Sequence, residues 1–178
     1  MTSIWTIGHS TRSLEELVDL LRGQGITVLA DVRTLPGSKR HPQFDREVLE
    51  KELPRHGLRY VHLRALGGLR RPRPDSPNLA WRSSAFRGYA DYMQTEEWER
   101  ALGELLELAA TERVAVMCAE AVPWRCHRSL LADALVVRGV EVRHITGKGE
   151  PARHALTSFA HVEGLRITYP GSGQLPLG

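Results

Sequence analysis

Residues 4–33 read IWTIGHSTRSLEELVDLLRGQGITVLADVR, and the fold class follows from this run. Ile4-Trp5-Thr6-Ile7 is a short apolar segment of strand type, closed by Gly8-His9-Ser10. Ser13-Leu14-Glu15-Glu16 has the spacing of a capping box, in which serine and glutamate satisfy each other's backbone N–H groups at a helix start. Leu14, Leu17, Val18 and Leu21 recur at helical spacing until Gly23 and Gly25 end the pattern. Ile26 to Ala30 is a second apolar strand, ending at Asp31-Val32-Arg33. A strand, a helix and a strand, with both strands apolar, form the unit of a parallel sheet covered by helices.

The alternation continues outward from this run. A helix is expected from Asp45 to Arg55, where Pro54 and Gly57 break the pattern, and a third strand from Leu58 to Leu63. Helical patterns cover residues 85–93 and 95–110, followed by a buried strand from Val114 to Met117 that ends in Cys118-Ala119-Glu120. A helix from Cys126 to Arg138 stops at Gly139, and Val140 to Ile145 is another strand. Pro151 to Ala160 reads as a short final helix and Leu165 to Tyr169 as a last strand. Arg64 to Ser83 is irregular, with Gly67-Gly68 and prolines at 72, 74 and 77; so long a loop in a compact domain is usually functional or mobile. The expectation is one α/β domain over residues 1–170, a three-layer arrangement with a mostly parallel sheet and helices on both faces. Residues 171–178 read as a frayed tail.

Composition supports a packed core. Of 178 residues, 42% are hydrophobic and 25% charged, which excludes a disordered chain and a disulfide-framework mini-protein. No apolar run approaches 18 residues and no basic segment precedes the first strand, so neither a membrane span nor a cleaved signal is expected. Two cysteines in a chain of this size read as reduced thiols, which places the protein in the cytoplasm. The net charge is +3, unevenly spread. Residues 64–87 hold six arginines against Asp75 alone, a local +5 that leaves −2 for the remainder. Arginine outnumbers lysine 21 to 3, a ratio that an arginine-rich genome produces without any functional demand.

Ligands of a parallel sheet bind beyond the carboxyl ends of its strands. Four polar groups follow strands here: His9-Ser10, Asp31 with Arg33, Cys118 with Glu120, and Thr146 to Lys148. Cys126 falls at an expected helix start between Arg125 and His127-Arg128, where positive charge and the helix dipole favour thiolate over thiol. The leading reading is thiol-dependent chemistry, transferase or hydrolase in type, on a small anionic ligand. Cys126 is the nucleophile, Cys118 is a second candidate thiol whose meeting with Cys126 the sequence leaves open, and His9 or Glu120 moves protons. Arg128, His127, Asp31 and Arg33 surround the anion. The structural alternative stands beside it: both cysteines as small buried hydrophobes, Asp31 and Arg33 as an ion pair capping the sheet, and His9 as a satisfied loop histidine.

Two other classes are open. His9, Cys118 and Cys126, with Glu120 and His127 nearby, include ligands suited to zinc or iron. Seven residues separate the cysteines, however, so such a site depends on tertiary convergence rather than a zinc-knuckle spacing. Nucleic acid is the other candidate partner: Arg70, Arg71, Arg73 and Arg82 interleave with Trp81, Phe86 and Tyr89, residue types that bind phosphate and stack on bases. A solvated basic loop with core-facing aromatics is the alternative. A phosphatase-type loop is excluded by six residues between Cys118 and Arg125 where five are needed, and no glycine-rich phosphate loop is present.

The chain resembles the domain-of-unknown-function family 488. The residues that carry the resemblance are Thr6-Ile7-Gly8-His9-Ser10, Asp31-Val32-Arg33 with Pro36 and Ser38, Leu66-Gly67-Gly68, Tyr89 with Tyr92-Met93, and Met117-Cys118-Ala119-Glu120 through Pro123 to Cys126-His127-Arg128. The resemblance implies an α/β fold and a shared site without naming a substrate. A fainter likeness is to rhodanese-type domains, where an Asp-Val-Arg turn follows a strand and a later strand ends in a reactive cysteine loop; Asp31-Val32-Arg33 and Cys118 fall in those places. The longer loop and the second thiol at Cys126 depart from that pattern.

Overall fold

The computed structural model describes residues 1–174. In chain order it contains β1 (Ser3–Gly8), α1 (Leu14–Gly23), β2 (Val28–Asp31), α2 (Arg46–Glu52), β3 (Arg59–His62), α3 (Ser84–Tyr92) and α4 (Glu96–Thr111). There follow β4 (Val114–Cys118), α5 (Arg128–Val137), β5 (Glu141–Ile145), β6 (Ala152–Arg153), β7 (His161–Glu163) and β8 (Arg166–Thr168). The main sheet has the order β3-β2-β4-β1-β5-β6. Its first five strands run parallel and β6 closes the edge antiparallel to β5, while β7 and β8 pair as a separate hairpin.

Side chains that alternate along a strand divide the core into two layers. Ile4, Val28, Ala30, Val114 and Val116 face α3, α4 and α5, meeting Tyr89, Trp98, Leu102 and Leu131. Trp5, Ile7, Leu29, Ala115 and Met117 face the other way, against Leu17, Val18 and Leu21 of α1 and Leu49 of α2. Both faces are therefore covered, as the unbroken apolar strands required. The capping box forms at the start of α1: the Glu16 N–H donates to Ser13 Oγ at 3.1 Å and the Ser13 N–H to Glu16 Oε1 at 3.2 Å. The α2 helix is shorter than its sequence pattern and tightens into a 3-10 turn over Leu53–His56, which Gly57 ends at φ 75°.

Three expectations change. Residues 151–160 are not a helix: Ala152–Arg153 pairs with β5, and the His154 N–H donates to the Val142 carbonyl at 2.8 Å. The free edge of β5 offered backbone groups that outcompeted a weak helical pattern. The helix expected from Cys126 begins two residues later, after a 3-10 turn at Pro123–Arg125. Finally, the long segment after β3 is pinned rather than loose. Asp91 of α3 accepts from Ser76 Oγ at 2.7 Å, Asn78 Nδ2 at 2.6 Å and the Arg73 N–H at 2.8 Å, and the segment crosses α3 at Gly88, where a Cβ would meet the Arg70 carbonyl oxygen at 2.1 Å. Of the tail expected to fray, residues 171–174 are described, with the Gln174 amide donating to the Ser76 carbonyl at 2.9 Å, and the rest lies outside the described residues. Among the described residues no helix is long and apolar enough to cross a membrane.

Candidate functional site

Strand register builds the site. β1 and β4 lie side by side with Gly8 opposite Cys118, and Asp31 of β2 stands opposite Met117. The loops leaving three parallel strands therefore open on one edge. The His9 and Ser10 N–H groups donate to the carbonyls of Cys118 and Ala119, both at 2.9 Å, which ties the first loop to the cysteine loop. A cleft of about 290 Å³ lies on this edge, lined by residues that include Arg33, Cys118, Glu120, Arg125, Cys126 and His127. A larger open groove of about 810 Å³ runs beside α1, past Arg12, Glu16, Asp19 and Lys148, but neither a thiol nor an imidazole lines it.

Cys118 and Cys126 are both buried free thiols, and the fold brings them near enough for each to shift the other's titration. Burial opposes charge on either sulfur. At Cys126 that opposition is outweighed by the Cys118 S–H, by His127 and by the Arg128 charge, which together hold this thiol well below its ordinary range. Burial and then the negative sulfur of Cys126 push Cys118 well above it. The Cys118 S–H donates to the Glu120 carbonyl at 3.8 Å. The Arg128 N–H, in the first turn of α5, also donates to Cys126 Sγ at 3.4 Å.

His127 stands between the Cys126 sulfur and the Val32 carbonyl. Its Nδ1 lies 3.6 Å from Cys126 Sγ, and its Nε2 donates to the Val32 carbonyl at 3.1 Å. That second bond fixes the ring so that Nδ1 faces the sulfur, and Tyr89 packs on it at 4.9 Å between ring centres. A nucleophile, a base and a group that orients the base are the elements of nucleophilic catalysis.

The remaining candidates occupy supporting positions. Asp31, fully buried, grips Arg33 with two hydrogen bonds of 2.9 and 2.7 Å and accepts Tyr60 Oη at 2.5 Å. This is the sheet-capping ion pair, and it presents Arg33 to the cleft. His9 has both ring nitrogens committed, Nδ1 to the Ser10 carbonyl at 2.9 Å and Nε2 to Arg33 Nη1 at 3.4 Å, and its ring stacks on Phe44. Burial and the Arg33 charge lower its basicity. His9 is not among the residues that line the cleft. Glu120 lines the cleft from an exposed position, and it is its carbonyl, not its carboxylate, that meets Cys118 and Arg128.

Arg128 is fully buried rather than open to an anion. Its Nη1 donates to Thr6 Oγ1 at 3.1 Å and its Nη2 to the Glu120 and Ala121 carbonyls at 2.7 and 3.4 Å. It shapes the cysteine loop from beneath, while Arg125 stands exposed on the cleft wall. Among the described residues no group of three or more His, Cys, Asp or Glu side chains is placed to hold a metal ion. His9 instead faces a guanidinium, a neighbour that repels a cation.

In the basic segment, Trp81 and Phe86 pack against the core and Tyr89 is fully buried within it. Arg70 lies over the Tyr92 ring at 3.7 Å and Arg73 pairs with Asp75 at 3.1 Å, which leaves Arg71 and Arg82 exposed. Sequence reasoning missed Thr6, Tyr60, Asp133, His144 and His154. Their signal was present as polar residues inside apolar strands and in the middle of an apolar helix.

No curated protein and no solved structure matches the chain, and no comparison carries the rhodanese likeness. One family does match, over residues 13–135, from the capping box of α1 through both cysteines into α5. With most of its length and the whole cysteine segment inside that match, the chain belongs to the family Domain of unknown function DUF488.

Proposed function

We propose that this protein is a thiol-dependent enzyme in which Cys126 attacks a small anionic substrate held in the cleft. One observation carries the reading: Cys126 Sγ faces His127 Nδ1 at 3.6 Å on the cleft wall, with the imidazole fixed from behind by Val32. Proton transfer from sulfur to Nδ1 gives a thiolate–imidazolium pair. The sulfur then bonds to the electrophilic carbon of the substrate, and the leaving group departs with its bonding pair and the His127 proton. Water, giving a proton back to His127, releases the product and restores the thiolate. Arg125 and Arg33 on the same wall suit a substrate with a negative charge. A cleft of about 290 Å³ suits a small molecule.

Site-resolved alkylation by iodoacetamide, read by mass spectrometry from pH 5 to 10, tests this. An unassisted thiol titrates near about 8.5. Cys126 is expected to react with a midpoint at least about one unit lower, and Cys118 to react more slowly. His127→Ala should raise the Cys126 midpoint. A Cys126 that reacts only in unfolded protein, or with an ordinary profile, overturns the proposal.

A further inference from the structure

Beneath the cleft lies a chain of buried polar groups that the thiol chemistry above does not use. Asp133 and Arg128 both belong to α5, and both are fully buried. Between them the chain runs through three other elements. Asp133 Oδ1 lies 2.8 Å from His154 Nε2, and His154 Nδ1 lies 2.8 Å from His144 Nε2. His144 Nδ1 meets Thr6 Oγ1 at 2.5 Å, and Thr6 Oγ1 receives Arg128 Nη1 at 3.1 Å. The Asp133 carboxylate is also held by Tyr169 Oη at 2.7 Å and the Thr157 N–H at 3.0 Å.

The two ends are fixed, and between them the bonds take the direction that gives the Thr6 hydroxyl proton an acceptor. A guanidinium can only donate and a carboxylate can only accept. Thr6 Oγ1 accepts from Arg128, and among its side-chain contacts only His144 Nδ1 can take its own proton. His144 therefore carries its proton on Nε2 and donates to His154 Nδ1. His154 carries its proton on Nε2 and donates to Asp133. With this assignment each proton between Thr6 and Asp133 has an acceptor and His144 is neutral. Burial, His154 and Arg128 together lower the His144 basicity to about 3, which keeps it so.

We propose that Thr6 and His144 are positioning residues for the Cys126 site, holding Arg128 where its guanidinium both carries the Glu120–Ala121 loop and favours the neighbouring thiolate. This rests on the thiolate reading above and adds to it the residues that set the thiolate's environment. The ordered row leaves one Thr6 lone pair aimed at Arg128 Nη1, while Nη2 grips the loop carbonyls. No ion pair joins Arg128 to a carboxylate among the described residues. A buried charge needs hydrogen-bond partners or a counter-charge; three oxygens hold this guanidinium, its Nε has no partner among the described residues, and its charge favours a negative Cys126. The groups that bear on that sulfur are Cys118 from β4, His127 and Arg128 from α5, and Tyr89 from α3. Of these, Arg128 is the one whose seat depends on the row.

The test is the Cys126 alkylation profile of the full chain in Thr6→Val and Thr6→Ser. Valine keeps the shape of the side chain and removes the hydroxyl; serine keeps the hydroxyl. Thr6→Val is expected to raise the Cys126 midpoint by about 0.5 to 1 unit, a three- to tenfold loss of thiolate at a given pH. Thr6→Ser should return it to the wild-type value, which a mere loss of packing would not. Should Thr6→Val fail to fold, imidazole nitrogen shifts by NMR decide on the wild-type protein: both His144 and His154 are expected with the proton on Nε2 at pH 7. A proton on His144 Nδ1, or a charged His144, overturns the inference. So does a low wild-type midpoint that Thr6→Val leaves unmoved, which would leave the thiolate reading standing. An ordinary wild-type midpoint instead removes the thiolate reading itself.

Discussion

A Cβ on Gly8 would stand 1.6 Å from the carbonyl oxygen of Glu120. That oxygen is the one Arg128 Nη2 reaches at 2.7 Å, and Cys118 points its S–H toward it. The end of β1 and the cysteine loop after β4 are thus in direct backbone contact. Only a residue without a side chain allows it.

Gly8→Ala should therefore push the cysteine loop away from β1. Both atoms belong to backbone, so relief requires moving a strand end or the loop. Overpacking of this kind costs about 1–3 kcal/mol, and a domain of this size loses about 2–4 °C of Tm per kcal/mol. A fall of roughly 2–12 °C by calorimetry is expected, with a raised Cys126 alkylation midpoint. An unchanged Tm and an unchanged midpoint together would show that the loop is not held by this contact.

The thiols should leave a signature in stability. Cys126 is held below its ordinary 9.0 in the folded protein, so the unfolded chain binds the extra proton between those two values. Stability contributed by this group is present above the unfolded value and is lost as pH falls through the folded one. Cys118 acts oppositely above pH 9.0, where the unfolded chain ionises and the folded one resists. Urea midpoints should rise toward pH 8–9 with a slope of up to about 1.4 kcal/mol per unit for this proton. Cys126→Ser should flatten that rise; equal slopes in both proteins would contradict a folded-state thiolate.

Acid should weaken the buried row of histidines. His144 falls from 6.5 unfolded to about 3 folded, so below 6.5 the unfolded chain takes a proton that the folded protein refuses. Stability then drops as pH falls from 6.5 toward 3, again by up to about 1.4 kcal/mol per unit. His9, lowered by burial and by Arg33, adds to the same slope. His144→Gln should be less stable at pH 7 yet lose less between pH 6.5 and 4, as measured by urea unfolding. A variant with the wild-type slope would mean that His144 does not carry this dependence.

The segment between β3 and α3 should be released by removing its anchor. Asp91→Ala leaves Ser76 Oγ, Asn78 Nδ2 and the Arg73 N–H without their acceptor. Each buried group so stranded costs about 1–3 kcal/mol. Limited trypsin digestion should then cut within residues 70–82 several times faster than in the wild-type protein, while α4 and β4 stay protected. Equal cutting rates would show that other contacts hold the segment.

Local chemistry explains what could be read in advance. The capping box at Ser13 and Glu16 and the period of Leu17, Val18 and Leu21 use neighbours a few residues apart, so their geometry is fixed before anything packs. The apolar strands needed cover on both faces, and five parallel strands between two helical layers follow. The helical pattern at 151–160 failed because β5 had an unpaired edge, a fact about a distant strand. The long segment after β3 looked loose because its anchor, Asp91, lies on the following helix and its partner Tyr169 lies 91 residues beyond Asn78.

By itself the sequence determined the α/β class, the order of strands and helices as far as β5, and that cysteines and charged residues would gather beyond the strand ends. Tertiary structure alone decided which of them work together. Cys118 and Cys126 meet because β4 and the start of α5 converge, and His127 becomes their partner because Val32 of another loop turns its ring. Arg128, read as an anion holder, is drawn beneath the loop by Thr6 and by the Glu120 carbonyl. Those choices rest on register, burial and the direction of single hydrogen bonds between residues up to 138 apart, as with Thr6 and His144. A one-dimensional pattern holds residue types and their spacing; it holds no record of which donors remain unpaired once the strands align.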